Sequence, residues 1–269
     1  MKIAALQYSS RDDIAVTTDR AATLIDAAAA EGAAFITLPE CANFLSASRD
    51  SLMAKAEHEE SALFLAMARD KARHHGCWLS LGSCLMRHET SAKVANRHYI
   101  IAPNGDITAR YDKIHMFDAN VGDGKQYRES DHFEAGTTPV VTEINGHKTG
   151  LSICYDLRFA GLFHHYAKAE AEMILTPAAF TKVTGAAHWH VLQRSRAIET
   201  GAFVIAAAQT GTHDDGRQTY GHALICDPWG RVLADAGPTG EMALATIDFA
   251  EVARARQALS AWSSQRFFN

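Results

Sequence analysis

The segment GLSICYDLRF, Gly150–Phe159, begins as an apolar strand and turns polar at Cys154. Cysteines inside strands usually act as small buried hydrophobic residues. A cysteine at the end of a strand, followed at once by polar residues, is instead presented to a cleft. The segment therefore predicts either a nucleophilic Cys154 or a structural cysteine that packs at the end of the strand.

The composition of the 269-residue chain is that of an ordinary globular protein. Apolar residues make up 47%, charged residues 21% and the formal net charge is -5, so we expect no nucleic-acid partner. The sequence contains no apolar run of membrane-spanning length and no apolar signal segment, so we expect no membrane association. Five scattered cysteines without a CxxC pair argue against disulfides and structural zinc, and they favour a cytoplasmic location.

The order of strands and helices along the chain occurs twice. Three pairs of segments share a pattern and follow one another in the same order: KIAALQ (Lys2–Gln7) with KTGLSI (Lys148–Ile153), AAFITLP (Ala33–Pro39) with AEMILTP (Ala171–Pro177), and YIIAPNGDITA (Tyr99–Ala109) with LICDPWGRVLA (Leu224–Ala234). The last pair is typical of hairpins that turn at Pro-x-Gly. The strands are almost continuously apolar, as in sheets covered on both faces. Residues 1–269 are therefore predicted to form a single α/β domain of two internally related sheets with helices outside.

Glu40 and Cys154 occupy similar places in this scheme. Glu40 follows the strand that ends at Pro39, and Cys154 follows the second-half strand that corresponds to the N-terminal one. Ligands of α/β folds bind just beyond the C-terminal ends of strands. We therefore expect both side chains in one cleft.

Other residues compete for the roles of nucleophile, base and metal ligand. Cys41 directly follows Glu40, but adjacent side chains of an extended segment point apart, so Cys41 is expected to pack. His115 offers a Cys–His pairing with Cys154. The fourteen histidines include no HExxH motif or other metal-ligand spacing, so we expect no metal. Lys113, in RYDKIHMFD, is on local grounds a solvated surface charge.

Together, LPE at Glu40, YDKIHMFD around Lys113 and ICYDLRF around Cys154 resemble the nitrilase superfamily of carbon–nitrogen hydrolases in order and spacing. The resemblance extends over essentially the whole chain and includes four further motifs: RES (Arg128–Ser130), AAHW (Ala186–Trp189), RAIET (Arg196–Thr200) and YGHALICDPWG (Tyr220–Gly230). It implies a four-layer αββα sandwich of two mixed sheets. It also implies an enzyme without a cofactor that forms a homodimer or a higher homo-oligomer.

The resemblance implies roles for five groups: Glu40 as general base, Lys113 as stabiliser of the oxyanion and leaving group, Cys154 as nucleophile, Glu129 as second glutamate, and the backbone N–H of Tyr155 as oxyanion donor. This set replaces the pairing with His115. Elementary chemistry agrees, because a nearby ammonium favours a thiolate. Glu40 can take the thiol proton, pass it to the departing ammonia and later activate water.

The residues after the cysteine distinguish branches of the superfamily. Tyr155-Asp156 resembles the amidases, whereas nitrilases have Trp-Glu at these positions. AAAQTGTH (Ala206–His213), with RAIET and YGH, is most similar to amidases that act on deaminated glutathione, whose near relatives act on α-ketoglutaramate. The expected activity is hydrolysis of such a small linear carboxamide through a thioester acyl-enzyme. The alternative is an N-carbamoyl hydrolase with the same triad. A protein of this fold that only binds partners and has no activity is a further possibility, but the intact catalytic set argues against it.

Substrates of this type carry carboxylates, so the pocket is expected to contain a cationic group. The candidates are Arg158, Arg128 and Lys182, with Phe180 as a further binding residue. Arg158 is equally suited to brace the turn, and the other two cations to remain solvated. Relatives commonly have a proline after the RF sequence, where this chain has Ala160-Gly161, and a looser turn is expected there.

Overall fold

The computed structural model describes residues 1–46, 48–122 and 124–264. Within these ranges the α-helices are α1 (Ile14–Ala30), α2 (Arg49–Lys55), α3 (Leu63–His75), α4 (Ala160–Lys168), α5 (Lys182–Thr200) and α6 (Ala250–Ala258). Short 3₁₀-helices cover Glu59–Ser61, Glu129–Asp131, Cys154–Arg158 and Ser260–Trp262. In the part of the chain so described, no helix combines the length and the apolar character needed to cross a membrane.

The strands of the first half are β1 (Lys2–Tyr8), β2 (Phe35–Thr37), β3 (Trp78–Ser80), β4 (Cys84–Arg87), β5 (Val94–Ile101), β6 (Ile107–Asp112), β7 (Asp118–Asn120), β8 (Gln126–Arg128) and β9 (Phe133–Glu134). Those of the second half are β10 (Val140–Ile144), β11 (His147–Leu151), β12 (Met173–Leu175), β13 (Phe203–Ala206), β14 (Ala208–Thr212), β15 (Gln218–Tyr220), β16 (Leu224–Cys226), β17 (Val232–Asp235) and β18 (Met242–Thr246). They form two large mixed sheets and the separate hairpin β7–β8.

The two large sheets contain the same arrangement of strands. In the first sheet, neighbouring strands run in the order β18, β1, β2, β3, β5, β6, and in the second in the order β10, β11, β12, β13, β16, β17. In both, the first pair is antiparallel, the next two pairs are parallel, and the last two are antiparallel. The prediction of two internally related sheets is confirmed.

The repeat extends to the register of the hydrogen bonds. Ala4 of β1 lies opposite Ile36 of β2, and Gly150 of β11 lies opposite Ile174 of β12. Aligning KIAALQ with KTGLSI matches Ala4 with Gly150, and aligning AAFITLP with AEMILTP matches Ile36 with Ile174. The similarity of the sequences therefore reflects a repeated strand pairing.

Alternating side chains of β1 separate two apolar cores. Ile3 and Ala5 belong to the core that includes the second sheet, whereas Ala4 and Leu6 pack with residues of α1 and α3. Helices α4 and α5 contact strands of the second sheet. The layers are thus helix, sheet, sheet and helix, which confirms the αββα sandwich.

The turn after β2 is held by a close approach of two backbone segments. Gly82 has φ +63°, and a Cβ there would lie 1.9 Å from the carbonyl oxygen of Leu38. The adjacent Ser83 accepts a hydrogen bond from the N–H of Cys41 through its Oγ at 2.9 Å. Only glycine fits this approach, and the contact fixes the turn that carries Glu40.

Candidate active site

The structure brings Glu40, Lys113, Glu129 and Cys154 together. The Nζ of Lys113 lies 2.8 Å from Glu40 Oε1 and 2.7 Å from Glu129 Oε2. The Cys154 thiol lies near the Glu40 carboxylate, and the two groups shift each other's pKa. The side chains of Lys113 and Glu40 are only 1% and 3% exposed, whereas that of Glu129 is 21% exposed. A buried ammonium therefore connects the carboxylate beside the thiol to a carboxylate nearer to solvent.

Further groups orient Glu40. Its Oε2 accepts the N–H of Ala179 at 2.8 Å, and its Oε1 accepts the Nδ2 of Asn96 at 3.1 Å. The buried Gln209 donates from Nε2 to the Glu40 carbonyl at 2.9 Å. Asn96 and Gln209 were not found by sequence reasoning, because nothing in their local sequence indicates contact with a residue so distant in the chain.

Cys154 has an unusual backbone conformation. Its φ of +47° lies in the left-handed region, and its N–H donates to the carbonyl oxygen of Pro177 at 2.8 Å. Left-handed conformations of non-glycine residues are costly and persist where surrounding contacts impose them. The sharp change of direction between β11 and the 3₁₀-helix turns the half-buried Cys154 towards the cleft.

Asp156 connects the Cys154 turn to the segment after β6. Oδ2 of its buried carboxylate accepts two hydrogen bonds, from the N–H of Ile153 at 2.8 Å and from the hydroxyl of Tyr111 at 2.6 Å. On Oδ1 it accepts the N–H of His115 at 3.0 Å, and His115 Nδ1 lies 2.7 Å from the same oxygen. His115 is therefore a partner of Asp156 and not of Cys154. Sequence reasoning used Asp156 only to distinguish branches and missed this bridging position.

The charges of the cluster shift the pKa values of its members. Burial disfavours the ammonium of Lys113, but Glu129 and Glu40 outweigh this effect and raise the pKa of Lys113 well above its usual range. Burial also disfavours the Glu40 carboxylate, but the Lys113 ammonium prevails and lowers the pKa of Glu40. At Glu129, burial and repulsion from Glu40 prevail over Lys113 and raise the pKa of the carboxyl group.

The pKa of the Cys154 thiol differs from the sequence-based expectation. Burial and the Glu40 carboxylate raise this pKa well above its usual value, and the Lys113 ammonium does not compensate for them. Lys113 does favour the thiolate as expected, but its effect is smaller than those of burial and Glu40. The thiol is neutral near pH 7 and needs a base to become a nucleophile.

Two cavities adjoin the cluster. The smaller is lined by Phe117, Cys154, Tyr155, Arg158, Ala179, Phe180, Thr181 and Thr184. The larger, of about 180 Å³, is lined by Ser46, Leu52, Phe117, Lys125, Gln126, Tyr127, Arg128, Glu129, His132, Phe133, Asp215 and Arg217. Phe117 is common to both, so the thiol opens into one cavity and Glu129 into its neighbour.

The predicted substrate-binding residues lie at different distances from the thiol. Arg158 and Phe180 line the smaller cavity, with the Arg158 guanidinium 5.0 Å from the centre of the Phe180 ring and its Nη1 3.2 Å from His188 Nδ1. Arg128 is exposed and lines the larger cavity. Lys182 is exposed at the start of α5, and the structure does not bring it to the described lining of either cavity.

The turn before α4 is closed without a proline. The N–H of Phe159 donates to the Asp156 carbonyl at 3.0 Å, and α4 begins at Ala160. The first position of a helix accepts proline or another residue equally, since its N–H has no partner within the helix. The turn is hydrogen-bonded in this structure, and the looser turn expected at Ala160-Gly161 stays a prediction.

Two histidines and an aspartate meet elsewhere in the fold. His190 Nε2 lies 2.9 Å from Asp235 Oδ2, and His222 Nδ1 lies 3.0 Å from Asp235 Oδ1. No sequence spacing indicated this cluster, because these residues belong to α5, the segment before β16, and β17, and only the tertiary fold unites them. The expectation of no metal stays a prediction. The contacts between imidazoles and carboxylate account for the cluster without a further ligand.

Comparisons with known proteins agree with this geometry. The carbon–nitrogen hydrolase family model matches residues 2–257. A deaminated glutathione amidase of Synechocystis sp. is 40% identical over 262 residues, which cover 94% of each chain. The NitFhit protein of Caenorhabditis elegans has a TM-score of 0.92 at 35% identity, covering 98% of this chain and 65% of that one. Nit3 of Saccharomyces cerevisiae, a member of branch 10 of the nitrilase superfamily, has a TM-score of 0.88 at 28% identity and covers 99% and 97% of the two chains.

Two stacked sheets with a cysteine, a lysine and glutamates at their strand ends define a class of hydrolases that act on carbon–nitrogen bonds. The chain belongs to the carbon–nitrogen hydrolase family, within the nitrilase superfamily. It is a hydrolase that acts on amides. The resemblance seen in the motifs is confirmed.

Replacing Asp156 with Asn tests its bridging position. The amide NH₂ of the variant would face donors that now meet a carboxylate oxygen, so we expect the free energy of unfolding to fall by about 3 kcal/mol. Urea denaturation measures this change. Tyr111→Phe, which removes one donor, is the matched control with an expected loss of about 1 kcal/mol. Equal stability of Asp156→Asn and the unmodified protein would contradict the proposed bridge.

Proposed function

We propose that this protein is a single-domain amidase that hydrolyses a small linear carboxamide of the deaminated glutathione or α-ketoglutaramate type. The products are a carboxylate and either ammonia or an amine, and the intermediate is a thioester on Cys154. The observation that carries this proposal is the contact of the buried Lys113 ammonium with Glu40 at 2.8 Å and with Glu129 at 2.7 Å, beside a Cys154 that lines the cleft. The name of the 40% identical relative supports the substrate class.

Acylation starts with proton transfer from the Cys154 thiol to Glu40, whose lowered pKa keeps it ionised and ready to accept. The sulfur attacks the amide carbonyl carbon, and an S–C bond forms as the carbonyl oxygen becomes an oxyanion. Lys113 and the N–H of Tyr155 stabilise this oxygen. Loss of one such donor typically costs roughly 10²–10³ in rate. The C–N bond then breaks as Glu40 returns the proton to the nitrogen.

Deacylation uses the same groups in reverse order. Glu40 takes a proton from water, and the hydroxide attacks the thioester carbon. The C–S bond breaks and the sulfur recovers the proton from Glu40. The carboxylic acid formed gives its own proton to solvent and leaves as the carboxylate. Glu129 holds Lys113 through two contacts of 2.8 and 2.7 Å and accepts the N–H of Phe117 at 2.6 Å. We therefore assign Glu129 a positioning role for the ammonium.

The smaller cavity suits the acyl part of the substrate. It contains the thiol, the Arg158 guanidinium and the hydroxyls of Thr181 and Thr184. An arginine and hydroxyl groups recognise a carboxylate through charge-assisted hydrogen bonds. We assign Arg158 to this carboxylate and give Arg128 and Lys182 no part in binding the acyl group.

A homodimer and a cytoplasmic location complete the proposal. Helix α5 carries exposed apolar side chains at Val183, Val191 and Ile198, which are 50%, 66% and 44% exposed and lie on one side of the helix. A second copy of the chain would cover such a stripe. All five cysteines are free thiols, and a thiol nucleophile must remain reduced, which favours a reducing compartment.

Cys154→Ala is expected to abolish ammonia release without unfolding the protein, because it removes the nucleophile and few atoms. Cys41→Ala is the matched control, since Cys41 is buried next to Glu40 and its loss should cost about 1 kcal/mol of stability with activity retained. A coupled assay of ammonia release measures the activity of both variants. An essential Cys41 and a dispensable Cys154 would identify Cys41 as the nucleophile.

Glu40→Gln distinguishes two effects of the Glu40 carboxylate: it accepts the thiol proton, and its negative charge raises the pKa of Cys154. Turnover should fall to background because an amide cannot accept the thiol proton. The pKa of Cys154 should decrease, because the negative neighbour that raises it has gone while Lys113 remains. Titration of the thiolate ultraviolet absorbance, with Glu40→Gln/Cys154→Ser as the blank, measures the shift. An unchanged or higher thiol pKa in Glu40→Gln would be inconsistent with this electrostatic account.

The substrate class is tested by kcat/KM for four compounds: deaminated glutathione, α-ketoglutaramate, an N-carbamoyl amino acid and an aliphatic nitrile. We expect one of the first two to be hydrolysed fastest. Fastest turnover of the carbamoyl compound, with carbon dioxide released beside ammonia, would establish the alternative N-carbamoyl hydrolase. Preference for the nitrile would refute the assignment to amidases.

A further inference from the structure

We infer that the larger cavity binds the amine side of the substrate, and that Arg217 and Lys125 select an amine side that carries a carboxylate. This inference rests on the proposed function and specifies which half of the amide each cavity receives. It adds two cations that neither the motifs nor the comparisons indicate.

The position of the larger cavity relative to the cluster determines this assignment. Cys154 lines only the smaller cavity, whereas Glu129, in contact with the Lys113 ammonium, lines the larger one. Phe117 forms a wall of both. An amide whose acyl group enters the smaller cavity therefore directs its nitrogen substituent past Phe117, towards the Glu129 side.

The larger cavity lies between two hairpins that contact each other. Lys125, in the turn between β7 and β8, donates from Nζ to the Asp215 carbonyl at 3.2 Å. Arg217, next to β15, has its guanidinium 5.9 Å from the centre of the Tyr127 ring. The cavity is partly open to solvent, so an extended substituent can enter it.

Among the described residues that line the larger cavity, three are cations: Lys125, Arg128 and Arg217. Two are carboxylates, Asp215 and Glu129, and Glu129 pairs with Lys113 at 2.7 Å.

The contact of Arg217 with Asp215 is a long one, with Nη2 3.5 Å from Oδ2. The Arg217 side chain is 22% exposed, and a guanidinium has five N–H donors in a fork that fits a carboxylate. A half-buried arginine of this kind binds a carboxylate more strongly than a fully solvated one.

Two buried polar atoms of the lining have no hydrogen-bond partner among the described residues. They are His132 Nδ1 and Asp215 Oδ2. Buried polar atoms normally have partners, so these two make the wall of the cavity polar.

Deaminated glutathione has the required chemistry. Its scissile nitrogen belongs to a cysteinylglycine unit that ends in a carboxylate, whereas the nitrogen of α-ketoglutaramate carries only hydrogens. The acyl parts of the two compounds are identical. Comparing them therefore isolates the amine side.

The test measures kcat/KM of Arg217→Gln for deaminated glutathione, for the same compound with its glycine carboxylate converted to a carboxamide, and for α-ketoglutaramate. We expect a loss of about tenfold or more for the first compound, mainly through KM, because a charge-assisted contact is removed. The other two compounds should be unaffected by the substitution. Lys125→Gln should give a smaller loss with the same selectivity.

Arg254→Gln, on the exposed α6, is the matched control and should change none of the three values. Arg217→Lys, which keeps the charge but loses the fork, should give an intermediate loss and serves if Arg217→Gln fails to fold. Equal losses on all substrates, or none on deaminated glutathione, would overturn the inference while the proposed function stands. If the unmodified protein hydrolyses neither deaminated glutathione nor α-ketoglutaramate, the proposed function itself fails.

Discussion

The site depends on one buried ammonium held between two carboxylates. An isolated buried charge is unstable, and Lys113 is tolerable at 1% exposure only because Glu40 and Glu129 both contact it. Two negative charges against one positive charge leave the cluster with a net negative charge. This excess, added to burial, keeps the Cys154 thiol protonated, so the nucleophile is formed only when Glu40 removes its proton.

The repeated sheet explains how distant residues reach this cluster. Glu40 follows β2 of the first sheet, whereas Cys154 follows β11 of the second, and the two sheets stack on a shared apolar core. The nucleophile turn is attached to the first sheet a second time through Asp156, which accepts the Tyr111 hydroxyl from β6. The geometry between base and thiol is therefore set by sheet packing and by one buried carboxylate.

Sequence reasoning succeeded where local pattern determines structure. The strands before Glu40 and Cys154 and the Pro-x-Gly hairpins are short local signals, and their repetition predicted two related sheets. Asn96, Asp156 and Arg217 were missed as site residues because their partners are remote in the chain, so no spacing reveals them. The direction of the thiol pKa was missed because it depends on burial, which a motif does not contain. Lys182 was proposed as a substrate-binding cation, but it lies exposed at the start of α5, outside the described lining of both cavities.

Because the site is divided between the two sheets, the catalytic activity depends on the position of one sheet relative to the other. Glu40 and Lys113 follow strands of one sheet, and the other carries the thiol in a backbone conformation that its neighbours must enforce, with φ +47°. A slight slippage of one sheet on the other would leave every strand and helix intact, yet it would part the acid from the sulfur. Turnover should therefore be lost earlier than secondary structure on heating or in denaturant. Activity would then detect a displacement of the sheets that circular dichroism would not detect.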